Sequence, residues 1–136
     1  MKNLISKREL ITTREATPSD LNFILVHWLR GYYQDNAFVK KIKYKTYYEN
    51  YEKVVKALLA RSEVKIAALK ESPDVILAFS VVNRDVLHFA YTKPLWRKIG
   101  LMRDLTSGYK IKTVTHLTNI FEPIAKRKHF IFNPFL

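Results

Sequence analysis

The sequence contains no cysteine and only three glycines among its 136 residues. Without cysteine, disulfide bonds, thiolate zinc sites, iron–sulfur clusters and a cysteine nucleophile are excluded. This composition fits a reducing compartment, and we expect a cytoplasmic protein. Because glycine is so scarce, flexible Gly-rich linkers are excluded too, and short loops must join the helices and strands.

Long apolar runs are also missing. The two longest, 21–29 and 75–82, fall far short of the roughly 20 residues that a membrane-spanning helix needs. Residues 1–10 carry three basic side chains and lack the apolar segment of a signal peptide. We therefore expect no membrane partner. The length and the 48% hydrophobic content instead predict a single globular domain, residues 1–136, whose core needs no cross-links.

Charge is strongly biased toward one sign. Lys and Arg outnumber Asp and Glu by 24 to 12, which gives a formal net charge of +12. The excess is concentrated in residues 93–136, where nine basic residues face two acidic ones. Such a surface predicts an anionic partner: a nucleic acid, a phosphorylated cofactor or an acidic protein. A merely solvated basic face is the alternative.

The first half of the chain has the spacing of a strand followed by two helices. Residues 11–16 alternate weakly between apolar and polar and predict a strand. The first helix has Thr17 as its N-cap, Pro18 at its first position and Asp20 near the positive end of the dipole, and it ends near Gly31. An irregular basic segment, 34–43, leads to a second helix over 45–61, whose apolar stripe is rich in tyrosine.

The second half begins with strands. The runs 64–69, 76–82 and 86–92, separated by turn residues, predict an antiparallel meander. A helix over 98–108, a strand over 113–117, a helix over 120–128 and a strand over 130–132 follow. The predicted order is βααβββαβαβ, an α/β (α+β) fold with helices on both faces of a mixed sheet.

The segment with the most chemical information is 92–102, TKPLWRKIGLM. A strand ends there, because Pro94 has no N–H for the ladder, and a basic turn containing Gly100 leads toward a helix. Unpaired amides at such a position favour an anion, and glycine lets the backbone come close to a phosphate. Arg97 and Lys98 add positive charge. The segment therefore predicts a phosphate-binding turn.

This segment resembles the acyl-CoA signature V-x-P-x-Y/F-R-x-x-G-x-G/A of the GCN5-related N-acetyltransferase (GNAT) superfamily. Pro94, the aromatic Trp96, Arg97 and Gly100 are in register with it, whereas Met102 stands where the signature has its last small residue. The predicted element order is also that of the GNAT fold, so the resemblance covers nearly the whole chain.

A narrower resemblance connects the chain to small GNAT-like proteins of tailed bacteriophages and prophages. It rests on His-Trp-Leu-Arg at 27–30, Leu-His-Phe at 87–89, Thr-His-Leu-Thr at 115–118 and Asn-Pro-Phe-Leu at 133–136. A bacteriophage protein would act in the host cytoplasm. There its acceptor would be a host protein or a nucleic acid.

The GNAT resemblance implies a splayed sheet that opens after its fourth strand and binds acetyl-CoA, or another acyl-CoA, in the gap. It implies that the pantetheine amides are held by the backbone of Ala90, Tyr91 and Thr92. It implies a pyrophosphate site made by Arg97, Lys98, Ile99, Gly100, Leu101, Met102 and Arg103. The implied activity is direct acyl transfer to a primary amine, by a monomer or a homodimer, since no cysteine can carry the acyl group.

The general base is left open among three residues. His88, on the fourth predicted strand, has an ordinary pKa suited to proton transfer near neutral pH. Asp85, at the start of that strand, and His116, on the next strand, are the alternatives. Many GNAT members have a tyrosine on the fourth helix that protonates the leaving thiolate, and this chain has Ala125 there.

Two other functions follow from the same residues. A GNAT-fold protein without turnover could bind a host factor or a nucleic acid through its basic surface, as Ala125 and Met102 would allow. Direct nucleic-acid binding could use residues 126–128, Lys-Arg-Lys, with the aromatic rings of Phe121, Phe130 and Phe132. The sequence has no Gly-x-Ser-x-Gly, His-Glu-x-x-His or P-loop pattern, and no carboxylates with metal-ligand spacing.

Overall fold

The computed structural model describes residues 6–136. Residues 1–5, which belong to the stretch considered above for a signal peptide, lie outside the described residues. The strands are β1 (Ile11–Glu15), β2 (Glu63–Leu69), β3 (Ile76–Asn83), β4 (Val86–Thr92), β5 (Thr113–Val114) and β6 (Ile131–Phe132). The helices are α1 (Leu21–Gln34), α2 (Tyr44–Ala60), α3 (Leu101–Thr106) and α4 (Glu122–Arg127). This is the order that the sequence predicts.

The six strands form one sheet in the order β1-β2-β3-β4-β5-β6. The first four are antiparallel, whereas β5 runs parallel to both β4 and β6. β4 and β5 pair only through Val86↔Thr113 and Leu87↔Val114, and beyond these pairs the two strands separate. The predicted mixed sheet that opens after its fourth strand is therefore confirmed.

A β-bulge interrupts β4 at His88. Val81 of β3 lies opposite Phe89, but the next residue, Val82, lies opposite Leu87, so His88 is one extra residue on β4. As a result Leu87 packs toward α4 and Phe89 packs toward α1. In a regular strand these two side chains would share one face.

Helices cover both faces of the sheet, as the sequence predicts. On one face, α1 buries Trp28 and Leu29 against the sheet residue Phe79, and α2 adds Tyr47 and Val55. The predicted tyrosine stripe is thus partly core, and Tyr47 Oη donates a hydrogen bond to the Leu29 carbonyl (2.7 Å). α3 and α4 cover the other face. Within residues 6–136 no helix has the length and apolar character needed to cross a membrane.

Three boundaries differ from the sequence prediction. α1 continues past Gly31 to Gln34 because Tyr32 extends its buried apolar stripe. α3 begins at Leu101 rather than at residue 98, since Lys98 (φ 67°) and Gly100 (φ 87°) are left-handed. β5 ends before residue 115, where the chain turns toward the interior.

The start of α1 is fixed by the buried carboxylate of Asp20. A 3₁₀ turn, Pro18–Asp20, precedes the helix. Asp20 Oδ2 accepts hydrogen bonds from the Thr17 N–H and from Arg14 Nη1, both at 2.7 Å, and Oδ1 accepts one from Arg14 Nη2 at 3.0 Å. The hydrogen bonds from Arg14 and Thr17 lower the pKa of Asp20 to about 2. Thr17, the predicted N-cap, thus begins the 3₁₀ turn, whereas α1 itself begins after Asp20, which joins it to β1.

Asp20→Ala is expected to lower the free energy of unfolding by about 2–3 kcal/mol, because it leaves Arg14 and the Thr17 N–H without their acceptor. Urea denaturation at neutral pH measures the effect. Ser19→Ala is the control, because Ser19 is exposed and bonds only the neighbouring Thr17 hydroxyl. A loss for Asp20→Ala no larger than that for Ser19→Ala would contradict this assignment.

Candidate functional site

The separation of β4 from β5 opens a cleft of about 1450 Å³. One wall consists of β4 residues, the basic turn after it and α3. The opposite wall is formed by residues 109–111 and 118–130, and the C-terminal end of α1 closes one side. The cleft therefore occupies the gap in which the resemblance to GNAT proteins implies an acyl-CoA molecule.

The free edge of β4 presents backbone polar groups to this cleft. Antiparallel strands are hydrogen-bonded at alternate residue pairs. The Lys93 N–H donates to the Leu77 carbonyl (2.8 Å), and the register then makes Tyr91 a residue bonded to β3. Ala90 and Thr92 lie between bonded pairs, so their N–H and C=O groups point away from β3, toward the gap. The Thr92 carbonyl already accepts a hydrogen bond from Arg97 Nε (3.1 Å).

The basic turn is built around Gly100. Its φ of 87° is a conformation that side chains disfavour. A Cβ there would lie 2.7 Å from Arg103 Nη2 and 2.9 Å from Arg8 Nη1. Arg8 also donates through Nη1 to the Ile99 carbonyl (2.7 Å) and pairs with Asp104 (2.8 Å). The guanidinium groups of Arg8 and Arg103 thus meet at the one position of the turn without a side chain. That of Arg8 is paired with Asp104, whereas Arg103 lines the cleft.

Arg8 is a residue that sequence reasoning missed. It is 91 positions from Ile99, its partner in the turn, and no local pattern indicates that the two meet. Sequence reasoning also missed Asp35 and Lys110, which both line the cleft. Six basic side chains and one carboxylate line the cleft in the described chain: Arg97, Lys98, Arg103, Lys110, Arg127 and Lys128, and Asp35.

Most of the predicted cofactor-binding residues line this cleft. They are Ala90, Tyr91, Thr92, Arg97, Lys98, Gly100, Leu101, Met102 and Arg103. Ile99 does not, because its side chain packs with the apolar cluster beneath α3. Met102, the unexpected large residue of the signature, packs against the apolar clusters on both sides of α3, so part of its bulk lies in the core.

The two predicted catalytic histidines lie together, but away from the cleft. Thr115 Oγ1 lies 2.9 Å from His88 Nδ1 and 2.8 Å from His116 Nδ1, and all three side chains are buried. Burial, with a smaller contribution from Arg61, lowers the pKa of His88 to about 4. Burial, and then the neighbouring His88, lowers the pKa of His116 to about 4. Both rings are therefore neutral at pH 7.

None of the three predicted catalytic residues lines the large cleft. His88 and Asp85 border a separate depression of about 390 Å³, beside Arg61. His116 points into the core, with its ring edge-on to Trp28 (5.2 Å between centroids) and Tyr32 (4.9 Å). The bulge at His88 and the inward turn after β5 explain these positions. The geometry therefore offers no support for any of them as the general base.

The position on the fourth helix that carries a tyrosine in many GNAT members is buried in this protein. Ala125 is buried and packs with Val82, Leu87 and Phe121, so it exposes nothing to the cleft. The phenol of Tyr109 does line the cleft, but its Oη bonds Glu63 Oε1 (3.0 Å). Burial, and then this hydrogen bond, raise the pKa of Tyr109 to about 12.

Comparison with solved structures identifies the architecture. A GCN5-related N-acetyltransferase from Ralstonia eutropha JMP134 is 12% identical, with a TM-score of 0.62 over 86% of this chain and 90% of the other. A protein from Rhodopseudomonas palustris described as "GCN5-Related N-acetyltransferase: Aminotransferase, Class-II" is 16% identical, with a TM-score of 0.62 over 93% and 84%.

A predicted acetyltransferase from Clostridium acetobutylicum, determined with acetyl-CoA, is 14% identical, with a TM-score of 0.52 over 93% of each chain. No family model matches the sequence, and no curated protein matches it either. At these identities the likeness concerns the fold. The chain therefore has the fold of the GNAT acetyltransferases, as the signature at residues 92–102 led us to expect.

Proposed function

We propose that this protein is an acyl-CoA-dependent N-acyltransferase that uses acetyl-CoA and transfers its acyl group to a primary amine. The observation that carries the proposal is the cleft between β4 and β5, with an unpaired strand edge at one end and the Gly100 turn at the other. The GNAT fold supports it. The protein from Clostridium acetobutylicum that was determined with acetyl-CoA shares only the fold with this chain. The use of acetyl-CoA by this chain is therefore proposed here.

The chemistry of the cleft fits the two halves of coenzyme A. The pantetheine arm carries two amides, and the backbone groups of Ala90 and Thr92 that face the gap can pair with amides as a neighbouring strand would. The nucleotide half carries phosphates, and the cleft has a large excess of basic side chains. Arg97 and Arg103, which both line the cleft, would hold those phosphates beside Gly100.

Bound acetyl-CoA would supply an activated thioester. The bulge at His88 takes main-chain groups of β4 out of the ladder with β3, and an N–H there can stabilise the developing oxyanion. For the acceptor amine, Asp35 is the one carboxylate on the cleft wall in the described residues. Its Oδ2 accepts the Ile120 N–H (3.1 Å). We propose that it attracts the amine and receives its proton directly or through water.

A second candidate function is that of a GNAT-fold protein without turnover. It is favoured by the burial of Ala125 where a tyrosine would act, and by the distance of His88, Asp85 and His116 from the cleft. Such a protein would bind a host factor or a nucleic acid through its basic surface. The two candidates share the fold and differ in chemistry, so one set of measurements separates them.

Calorimetric titration with acetyl-CoA is the test, with CoA and desulfo-CoA as comparison ligands. We expect micromolar binding and a loss of about tenfold in Arg97→Ala, because a charge-assisted phosphate contact is removed. Arg30→Ala, an exposed arginine on α1, is the control for the lost charge. Failure of acetyl-CoA to bind at millimolar concentration would contradict acyl transfer and would favour the second candidate.

Turnover is then measured as release of free thiol from acetyl-CoA in the presence of polylysine, polyamines and aminated oligonucleotides. Asp35→Asn is expected to reduce turnover at least tenfold while leaving acetyl-CoA affinity unchanged. Binding with no thiol release from any of these amines would favour the second candidate. The bacteriophage origin, the cytoplasmic location, the single domain and the monomeric or homodimeric state stay predictions.

A further inference from the structure

The connection between α1 and α2 carries a surface that acyl transfer does not use. It consists of Phe38, Lys40, Lys41 and Lys43, together with Tyr44, the first residue of α2, and we call it the basic aromatic surface. Phe38 is 79% exposed and Tyr44 is 48% exposed, and all three lysines are exposed. No acidic residue occurs from position 36 to position 48. A segment that only joins two helices does not need large exposed aromatic rings surrounded by lysines, so this surface calls for an explanation.

This surface is held in a fixed shape. Asn36 Oδ1 accepts hydrogen bonds from the backbone N–H groups of Phe38 (3.0 Å) and Val39 (2.9 Å), and Val39 is buried beneath the turn. Tyr33 Oη donates to the Ile42 carbonyl (2.6 Å). Because the backbone is fixed from both sides, the outward position of the Phe38 ring is a property of the fold.

The same segment is joined to the wall of the cleft. Asn36 Nδ2 donates to the Leu117 carbonyl (2.9 Å), and the neighbouring Asp35 accepts the backbone N–H of Ile120. The basic aromatic surface therefore lies beside the side of the cleft that α1 closes. A chain molecule bound on it could extend toward that opening.

We propose that the basic aromatic surface binds single-stranded nucleic acid. Lysines neutralise a phosphate backbone, and an exposed ring offers a stacking partner to any unpaired base. A duplex would satisfy the lysines but could not stack its paired bases on Phe38. An acidic peptide would likewise leave the ring without a specific partner. The combination of ring and lysines therefore favours the single strand.

The alternative surface at residues 126–128 is less suited to this role. Of the three rings that the sequence places beside it, Phe121 is buried and Phe130 is partly buried in the apolar cluster under α4. Phe132 alone among them is half exposed. That surface offers charge with little opportunity for stacking, so it serves below as a rival in the binding test.

Fluorescence anisotropy with a labelled oligothymidine of about 20 nucleotides tests the proposal on the full chain without acyl-CoA. Its outcome therefore does not depend on acyl transfer. Phe38→Ala is expected to weaken binding about fivefold or more, since a stacked base is lost. The duplex of the same length is expected to bind Phe38→Ala as it binds the wild type.

A pair of double variants separates the surface from net charge. Lys40→Ala/Lys41→Ala is expected to weaken binding at least tenfold, and to reduce the slope of log affinity against log salt by about 0.7 per lysine. Lys53→Ala/Lys70→Ala removes the same charge from exposed positions elsewhere and is expected to change affinity less than twofold. Circular dichroism of each variant checks that the fold is retained.

Three results would overturn the proposal. One is an equal loss in the two double variants, which would reduce the effect to net charge. Another is a dominant loss in Lys126→Ala/Arg127→Ala/Lys128→Ala with none in Lys40→Ala/Lys41→Ala, which would move the site to α4. The third is displacement of the oligonucleotide by polyglutamate at equal charge concentration, which would assign the surface to acidic proteins.

Discussion

Gly100→Glu abolishes acetyl-CoA binding under the proposed function, with an expected loss of at least a hundredfold in affinity. The backbone at Gly100 has φ 87°, and a Cβ there meets the ends of Arg103 and Arg8 at 2.7 and 2.9 Å. These ends are flexible, so the arginines can move aside, but moving Arg103, which lines the cleft, takes its positive charge away from the position of a phosphate. A carboxylate also places a like charge at the phosphate position.

Gly100→Ala separates the backbone from the charge. It introduces the strain of a left-handed alanine, about 1 kcal/mol of stability, and displaces the two guanidinium groups. We expect a loss of affinity of about tenfold. Gly108 provides matched controls, since a Cβ there meets nothing closer than Lys65 Nζ at 3.8 Å. Gly108→Glu and Gly108→Ala should therefore bind acetyl-CoA as the wild type does.

Calorimetry on the four variants decides the matter, with thermal unfolding to confirm that each is folded. If Gly100→Glu and the wild type bind acetyl-CoA with equal affinity, the phosphates of the ligand do not bind at this turn. Equal losses in Gly100→Glu and Gly108→Glu would reduce the effect to net charge. Either result would leave the fold unchanged and would contradict a phosphate site at Gly100.

The elements that the sequence predicts well are those whose signals are local. The stripe of α1, the Thr17 to Asp20 start and the β-rich runs of β2 to β4, which turn residues separate, depend on residues a few positions apart. Local sequence patterns report such distances directly. The basic turn is predictable for the same reason, because Arg97 and Gly100 lie in one short segment. The third arginine at this turn, Arg8, comes from the far end of the chain. No sequence pattern near Arg8 predicts its contact with the turn.

The catalytic candidates illustrate why the rest could not be predicted. Side chains along a strand point alternately to the two faces of the sheet, so one extra residue moves every following side chain to the opposite face. The bulge at His88 is visible only in the pairing of β3 with β4. His88 is consequently buried beside Thr115, where the sequence alone favours a role at the cleft. Asp35 reaches the cleft only because α1 continues past Gly31, which the sequence marks as its end.

The buried pair His88 and His116 makes stability depend on pH. The pKa of each is lowered from 6.5 to about 4, chiefly by burial. Between pH 6.5 and about 4, both histidines are protonated in the unfolded chain but neutral in the folded protein. The stabilisation is therefore complete above pH 6.5 and is lost as the pH falls toward 4. Both rings contact Thr115, and protonation of one disfavours protonation of the other. We expect the free energy of unfolding to fall by about 2–4 kcal/mol over this interval.

Urea denaturation at a series of pH values from 7.5 to 4 measures this loss. In His88→Gln/His116→Gln the decline over that interval should disappear, even if the variant is less stable throughout. His129→Gln is the control, because His129 is exposed and should leave the decline unchanged. Asp20 does not confuse the result, since its pKa of about 2 confines its loss of stabilisation to pH below about 4. An unchanged decline in the double variant would mean that the buried histidines do not cause the acid sensitivity.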